Sequence, residues 1–295
     1  MKYVLAGASG FLGKALTRDL VADGHQVLRL VRRTPSAPDE IRWDPARGDL
    51  DPAALDDPDV LVNLAGANIG RPWTPTYRLA IRESRISTTS TLAAAATQLD
   101  RRPVFITQSG IGGYGMDLGD RILTEDSELG EGFLSDVVRL WEGALEPARA
   151  AGSRVAALRT GVVLDGKAPA FQLMSIPFRL GVGGRLGSGT QYFPVVSLTD
   201  WIRAVRYVAD NDSLSGPVNV ALPTPATNIE FTEALATALH RPSFVPVPAA
   251  LMKAALGEFA WELLGSKRAL PTRLQAAGFA FHHPTVTSAL SAALA

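Results

Sequence analysis

Cysteine is absent from the 295 residues of this chain. That excludes disulfides, a thiol nucleophile and every zinc site that needs a thiolate. Histidine is scarce, with four residues. His25, His240, His282 and His283 show no His-x-x-x-His spacing, so no metal site is expected. Net charge is missing too: 29 Lys plus Arg balance 29 Asp plus Glu. A main partner that is nucleic acid or an anionic membrane would favour a basic face, so neither is expected. No apolar run approaches the roughly 18 residues needed to span a bilayer. The chain opens as a strand from residue 2 rather than as a charged region before an apolar signal core. A Gly-x-Ser-x-Gly nucleophile elbow is also missing. The expectation is a soluble cytoplasmic protein that works on a small molecule. Hydrophobic residues make up 46%, enough for a sizeable core and too many for disorder.

Residues 7 to 13 read Gly7-Ala8-Ser9-Gly10-Phe11-Leu12-Gly13, directly after the apolar run Tyr3-Val4-Leu5-Ala6. A helical pattern comes next, carried by Leu16, Leu20 and Val21. A strand that turns on glycines into a helix suits a pyrophosphate. Gly7 permits the turn, Gly10 lets backbone approach phosphate without a Cβ between, and Gly13 lets the helix pack close to the sheet. The first helical amides and the positive end of the helix dipole face the anion. Gly7, Ser9, Gly10, Phe11, Leu12 and Gly13 are therefore the first candidate cofactor ligands. A plain strand–turn–helix connection is the competing reading.

Further short β-branched runs occur at Gln26–Val31, Val60–Leu64, Val104–Thr107 and Val155–Leu158, as expected of parallel strands buried on both faces. Helical patterns separate them, notably over 76–98 and 134–151. The alternation predicts an α/β fold: a Rossmann-type doubly wound parallel sheet with helices on both faces. Val218-Asn219-Val220 is a candidate edge strand. After about residue 165 proline and glycine become frequent, and from 228 to 264 two apolar helical stretches flank an extended piece, Phe244–Pro248. The expected division is a dinucleotide-binding core over 1–165 and a small C-terminal substrate cap over 166–295, with 199–222 returning to the core.

In a dinucleotide fold the end of the second strand meets the adenosine ribose. A carboxylate there selects NAD, and a basic residue accommodates a 2′-phosphate. This strand ends in Val31-Arg32-Arg33-Thr34, with no carboxylate. Guanidinium donors match a phosphate, so NADP(H) is expected in preference to NAD(H). The alternative is a solvated basic loop.

A set of segments runs through the whole chain: Asn63–Gly70, Arg82–Ile86, Ser109–Gly115, Phe133-Leu134 with Trp141-Glu142, Leu158–Leu164, Pro177–Gly184 and Leu239–Pro242. With these the chain resembles an extended short-chain dehydrogenase/reductase, and more closely an atypical, sugar-epimerase-like branch that includes proteins labelled as cell-division inhibitors. The resemblance implies an NADP(H) site, with Leu64, Ala65 and Gly66 among the cofactor contacts, and a substrate cleft under the C-terminal cap.

Ordinary members of that superfamily place a Tyr and a Lys in an i, i+4 relation, on one face of a helix. The tyrosinate moves a proton at the substrate oxygen, and the ammonium lowers its pKa and holds the nicotinamide ribose. Counting back from Glu142, those positions here are Leu134 and Val138; a frame shifted by one gives Phe133 and Val137. None of the four can move a proton. Ser109, after the fourth strand, matches the superfamily's catalytic serine and is the catalytic candidate, its hydroxyl donating to a substrate oxygen. A turn or cap role is the alternative. Tyr114, Arg71, Trp73, Arg85 and Gln191 are candidate substrate contacts, suited to an anionic or polyhydroxylated compound. Arg82 and Asp200 are further polar candidates, and Ser197 stands where the family usually has His. Two functions fit: an NADP(H)-dependent epimerase or oxidoreductase acting on a small polar or carbonyl substrate, or a non-catalytic NADP(H) sensor.

Overall fold

The computed structural model describes residues 1–295. Its strands are β1 (Lys2–Ala6), β2 (Gln26–Val31), β3 (Glu40–Arg42), β4 (Val60–Asn63), β5 (Val104–Gly110), β6 (Ile122–Leu123), β7 (Val155–Thr160), β8 (Val162–Leu164), β9 (Val195–Ser197), β10 (Gly216–Val220) and β11 (Arg268–Ala269). Its α-helices are α1 (Phe11–Ala22), α2 (Pro75–Ala96), α3 (Phe133–Gly143), α4 (Glu146–Ala150), α5 (Pro169–Arg179), α6 (Leu198–Asp210), α7 (Asn228–Leu239), α8 (Ala249–Leu256), α9 (Ala260–Leu264), α10 (Thr272–Ala276) and α11 (Val286–Leu294).

β1 is apolar at every interior position because it is covered twice. Tyr3 and Leu5 point to one side, against Leu16 and Leu20 of α1 and Trp201 and Val205 of α6. Val4 and Ala6 point to the other, against Leu92 and Ala93 of α2. Seven parallel strands form the sheet in the order β10-β7-β5-β4-β1-β2-β3. The chain runs outward from β1 through β2 and β3, then returns to β4 on the other side. The direction of winding reverses between β1 and β4, and doubly wound sheets bind ligands in the crevice at the carboxyl ends of such strands. Val218, Asn219 and Val220 sit in the edge strand β10, paired with Leu158, Arg159 and Thr160 of β7. No helix is long and apolar enough to cross a membrane.

Two local expectations change. The helical pattern over 134–151 is two helices, because Pro147 in the first turn of α4 has no N–H to continue α3. The three-residue β3 has too little periodicity to be read, yet it extends the sheet beyond β2. Residues from β8 onward pack a separate cluster, Phe171, Phe178, Phe193, Phe231, Leu235 and Leu290, with Phe11 and Val162 against it. The extended piece at 244–248 runs along the glycine-rich stretch, with a bridge of Leu186 to Val247 and hydrogen bonds from Val247 N to Arg185 O (2.9 Å), Gly187 N to Val247 O (2.9 Å) and Val245 N to Gly183 O (3.4 Å).

Candidate functional site

The β1–α1 turn is tight enough to demand its glycines. Gly7 has φ +81°, and a Cβ there would lie 2.7 Å from Ala65 N. A Cβ on Gly13 would lie 2.3 Å from Gly7 O. Gly10 is the N-cap of α1, no side chain caps the helix and its first turn holds no acid. The amides of that turn are left to an anion. Asn63 at the end of β4 holds the neighbouring wall. Its Nδ2 donates to Thr88 and Thr89 of α2, and its Oδ1 accepts from Ala65 N at 3.1 Å. Leu64, Ala65 and Gly66 are thereby fixed against the Gly7 turn.

Phe11 and Leu12 open directly on a cavity of about 360 Å³. Its walls come from the end of β5 (Gln108, Ser109), α2 (Arg85), α3 (Leu134, Val138, Trp141), the β7–β8 junction and the C-terminal segment (Glu262, Lys267). The turn, the serine and the apolar face of α3 share one space.

Ser109 is buried, and its hydroxyl donates to Glu142 Oε1 at 2.7 Å. Glu142 in turn receives both Arg159 Nε (2.9 Å) and Arg159 Nη2 (2.7 Å). The expected donation from Ser109 to substrate is therefore revised: the proton is directed at a carboxylate, and the oxygen lone pairs are what the hydroxyl has left for a ligand. Arg159 lies over the Tyr114 ring, 4.9 Å from its centroid. Despite burial, Glu142 holds its guanidinium above the usual arginine range. Gln108 lines the cavity, and its Oε1 is buried without a partner.

Arg85 lies along the cavity wall against Gly66: a Cβ on that glycine would be 3.3 Å from Arg85 Cζ. Its Nη1 donates to Ile81 O at 2.9 Å, and its Cζ lies 5.0 Å from the centroid of the Trp141 ring. Burial pushes its pKa down to about 10.

Other expected contacts lie elsewhere. Tyr114 is buried outside the cavity lining, its hydroxyl on Thr124 O (2.9 Å) and Asn219 Oδ1 (2.8 Å). Burial raises its pKa, which suits packing better than proton transfer. Gln191 is buried, its Nε2 donating to the Leu186 and Leu263 carbonyls, and its contacts are with the protein itself. Trp73 donates to Ile69 O and stacks edge-on against Phe133 and Phe259, joining the β4–α2 loop to the C-terminal region. Arg71 is exposed, and Arg82 pairs with Glu83 beside it in sequence. Asp200 accepts the amides of His282 and His283, and Ser197 caps α6, so that group fastens the C-terminal segment to α6.

At the end of β2 the two arginines differ. Arg33 makes a two-pronged pair with Glu40 of β3, Nη2 to Oε1 at 2.6 Å and Nη1 to Oε2 at 2.9 Å. That corrects the reading of a strand end with no carboxylate, because Glu40 arrives from β3, which the sequence pattern does not reveal. Arg32 is exposed and enters no ion pair. Sequence reasoning missed Lys267 and Glu262 altogether. Lys267 precedes Arg268, and a basic pair in a turn reads as surface. Hydrogen bonds of Lys267 N to Tyr192 O and of Ser266 N to Asp117 Oδ1 turn the lysine inward, and they span the chain.

This architecture is a Rossmann-type fold of the extended short-chain dehydrogenase/reductase build, with a glycine turn and a cleft walled by the helix that usually carries Tyr and Lys. The chain belongs to the epimerase family. The model of the NAD dependent epimerase/dehydratase family matches residues 3–131, and a domain of unknown function, DUF1731, matches 247–293. An epimerase family protein of Mycobacterium leprae is 44% identical over 289 residues, covering 97% of this chain and 94% of that one. The crystal structure of the human epimerase family protein SDR39U1 with NADPH superposes with a TM-score of 0.89 at 33% identity, covering 100% of this chain and 99% of that one. A nucleoside-diphosphate sugar epimerase from Corynebacterium glutamicum superposes at 0.83 with 34% identity, and this chain spans 58% of its length.

Proposed function

We propose that this protein binds NADP(H) in the Gly7–Gly13 cradle and acts as an oxidoreductase or epimerase-like protein on a small polar or carbonyl compound in the adjoining cleft. The supporting observation is that Phe11 and Leu12, at the open N-terminus of α1, line the same cavity as Ser109. The human relative crystallised with NADPH supports the same cofactor. Gly7, Ser9, Gly10, Phe11, Leu12 and Gly13 would hold the pyrophosphate, and Leu64, Ala65 and Gly66 would flank the ribose. Arg32, unpaired beside Arg33, would meet a 2′-phosphate. A bound nicotinamide supplies or accepts hydride; the chain supplies position and electrostatics. Residues 1–165 with 199–222 would form the cofactor core, and the remainder of 166–295 the substrate cap.

A second reading, an NADP(H) sensor without turnover, is favoured by one observation: Leu134 and Val138 line the cavity where proton-handling residues would stand. Fluorescence titration of NADPH and NADH tests the cofactor assignment. Loss of one charged hydrogen bond to the 2′-phosphate, in Arg32→Ala, should weaken NADPH roughly 10- to 150-fold and leave NADH unchanged. Equal affinities of the wild type for the two nucleotides would overturn the preference. Absorbance assays with carbonyl and nucleotide-sugar panels separate the enzyme from the sensor.

A further inference from the structure

Two cations line the cleft without the full carboxylate pairing that buried charges normally keep. Arg85 has no acidic partner: one of its five donors reaches Ile81 O, and its plane stacks near Trp141. The Lys267 side chain is 3% exposed, and its only charged neighbour is Glu262 Oε1 at 3.4 Å, beyond the range of a strong charged hydrogen bond. An ammonium carries three donors, so most of its capacity is unused. Every other residue lining the cavity is neutral, so Arg85 and Lys267 against Glu262 leave one positive charge uncompensated. Such a charge in a partly desolvated wall works against folding unless a ligand answers it.

We infer that the substrate of this cleft carries an oxyanion, a carboxylate or a phosphate, bound by Arg85 and Lys267, with Glu262 positioning the ammonium. The inference rests on the cleft being a substrate site beside the cofactor. The dinucleotide does not account for both cations, since its pyrophosphate has the uncapped amides of α1. Lys267 stands on the C-terminal wall, anchored through Tyr192 and Asp117. The planar fork of Arg85 suits an oxyanion, and stacking on Trp141 holds the fork in place.

The test is calorimetric titration of NADPH-saturated protein with malonate, with inorganic phosphate, and with malonamide as the uncharged counterpart. At least one oxyanion binds and malonamide does not. Binding of malonate alone assigns a carboxylate; binding of phosphate alone assigns a phosphate. Arg85→Met and Lys267→Met each weaken that binding 10-fold or more and leave NADPH affinity, read separately by fluorescence, within twofold. Lys267→Gln replaces Lys267→Met should the latter not fold. Without any ligand, Arg85→Met melts above the wild type. Silence of both oxyanions, equal binding of malonamide, or variants that lose NADPH and keep the oxyanion would overturn the inference. Titrations repeated without nucleotide keep it testable should NADPH itself not bind, an outcome that would overturn the cofactor reading alone.

Discussion

Glu142 joins Ser109 to Arg159, and removing it should be among the most damaging single changes near the cleft. Its side chain is 15% exposed and that of Arg159 6%, so solvent offers either charge little relief. The carboxylate accepts two bonds from Arg159 and one from Ser109. In Glu142→Ala all three are lost, and Arg159 Nη1 has no partner even in the wild type. Breaking a buried pair on one side costs about 3–5 kcal/mol. At roughly 2–4 °C per kcal/mol for a chain of a few hundred residues, the melting temperature should fall by about 6–20 °C. Glu142→Leu combined with Arg159→Met removes both charges, and such replacements are neutral to stabilising by about 1–4 kcal/mol. The double variant should therefore melt well above Glu142→Ala. Thermal and urea unfolding followed by circular dichroism on the wild type, Glu142→Leu, Arg159→Met and the double variant closes the cycle, with Glu142→Ala measured beside them. A Glu142→Ala protein melting within about 2 °C of wild type, less than 1 kcal/mol, would refute the argument. So would a double variant as unstable as the two singles added.

Gly10→Val should fold and lose NADPH fluorescence enhancement, because its Cβ meets only Gly7 O, at 3.3 Å, and otherwise fills the phosphate approach. Gly13→Val should instead lose stability, seen as a lower melting temperature, because its Cβ would lie 2.6 Å from Ala8 Cα, inside the turn itself. The Glu40 carboxyl is held down to about 2, first by Arg33 and then by the Ser36 amide, from an ordinary 4.5. A depressed carboxyl pKa adds stability that is present above the ordinary value and lost as pH falls through the depressed one. Glu40→Gln should therefore flatten the melting curve's decline between those two values. Leu134→Tyr with Val138→Lys should create or raise NADPH-linked turnover in the substrate panel by about 10²–10⁴-fold if proton transfer is what the cleft lacks. No change in a folded double variant would place the missing proton step elsewhere.

The sheet was legible because buried parallel strands leave a plain record. Gln26–Val31 and Val155–Leu158 are apolar runs bounded by turns, and the glycines at 7, 10 and 13 fix the turn from β1 into α1. Chemistry that depends on side chains from distant segments was less legible. Glu40 lies seven residues beyond Arg33, yet it neutralises it only because β3 pairs with β2 in register. Tyr114 sits on a glycine-rich loop after Ser109 and reads as a substrate contact. Asn219, 105 residues away on β10, draws its hydroxyl out of the cleft. Lys267 carries no local signal at all, since the bonds that Lys267 N donates to Tyr192 O and Ser266 N donates to Asp117 Oδ1 decide which way it faces.

The helix that normally carries the proton chemistry keeps its place and changes its trade. α3 lines the cleft through Leu134, Val138 and Trp141, and its polar contacts run into the protein: Trp141 Nε1 donates to Thr89, and Glu142 pairs with Arg159. The cleft's own polar groups arrive from other directions: Ser109 and Gln108 from β5, Thr160 from β7, Arg85 from α2, and Glu262 with Lys267 from the C-terminal segment. A tyrosine–lysine pair on one helix is oriented by that helix alone. A set gathered from β5, α2 and the C-terminus depends on how the C-terminal segment seats against the sheet, which Trp73, Phe133 and Phe259 partly fix. Any proton delivered to a ligand from this chain must therefore cross from a wall other than α3. On that wall Lys267 and Glu262 line the cavity together, while Ser109, its proton held by Glu142, offers a ligand only an acceptor oxygen.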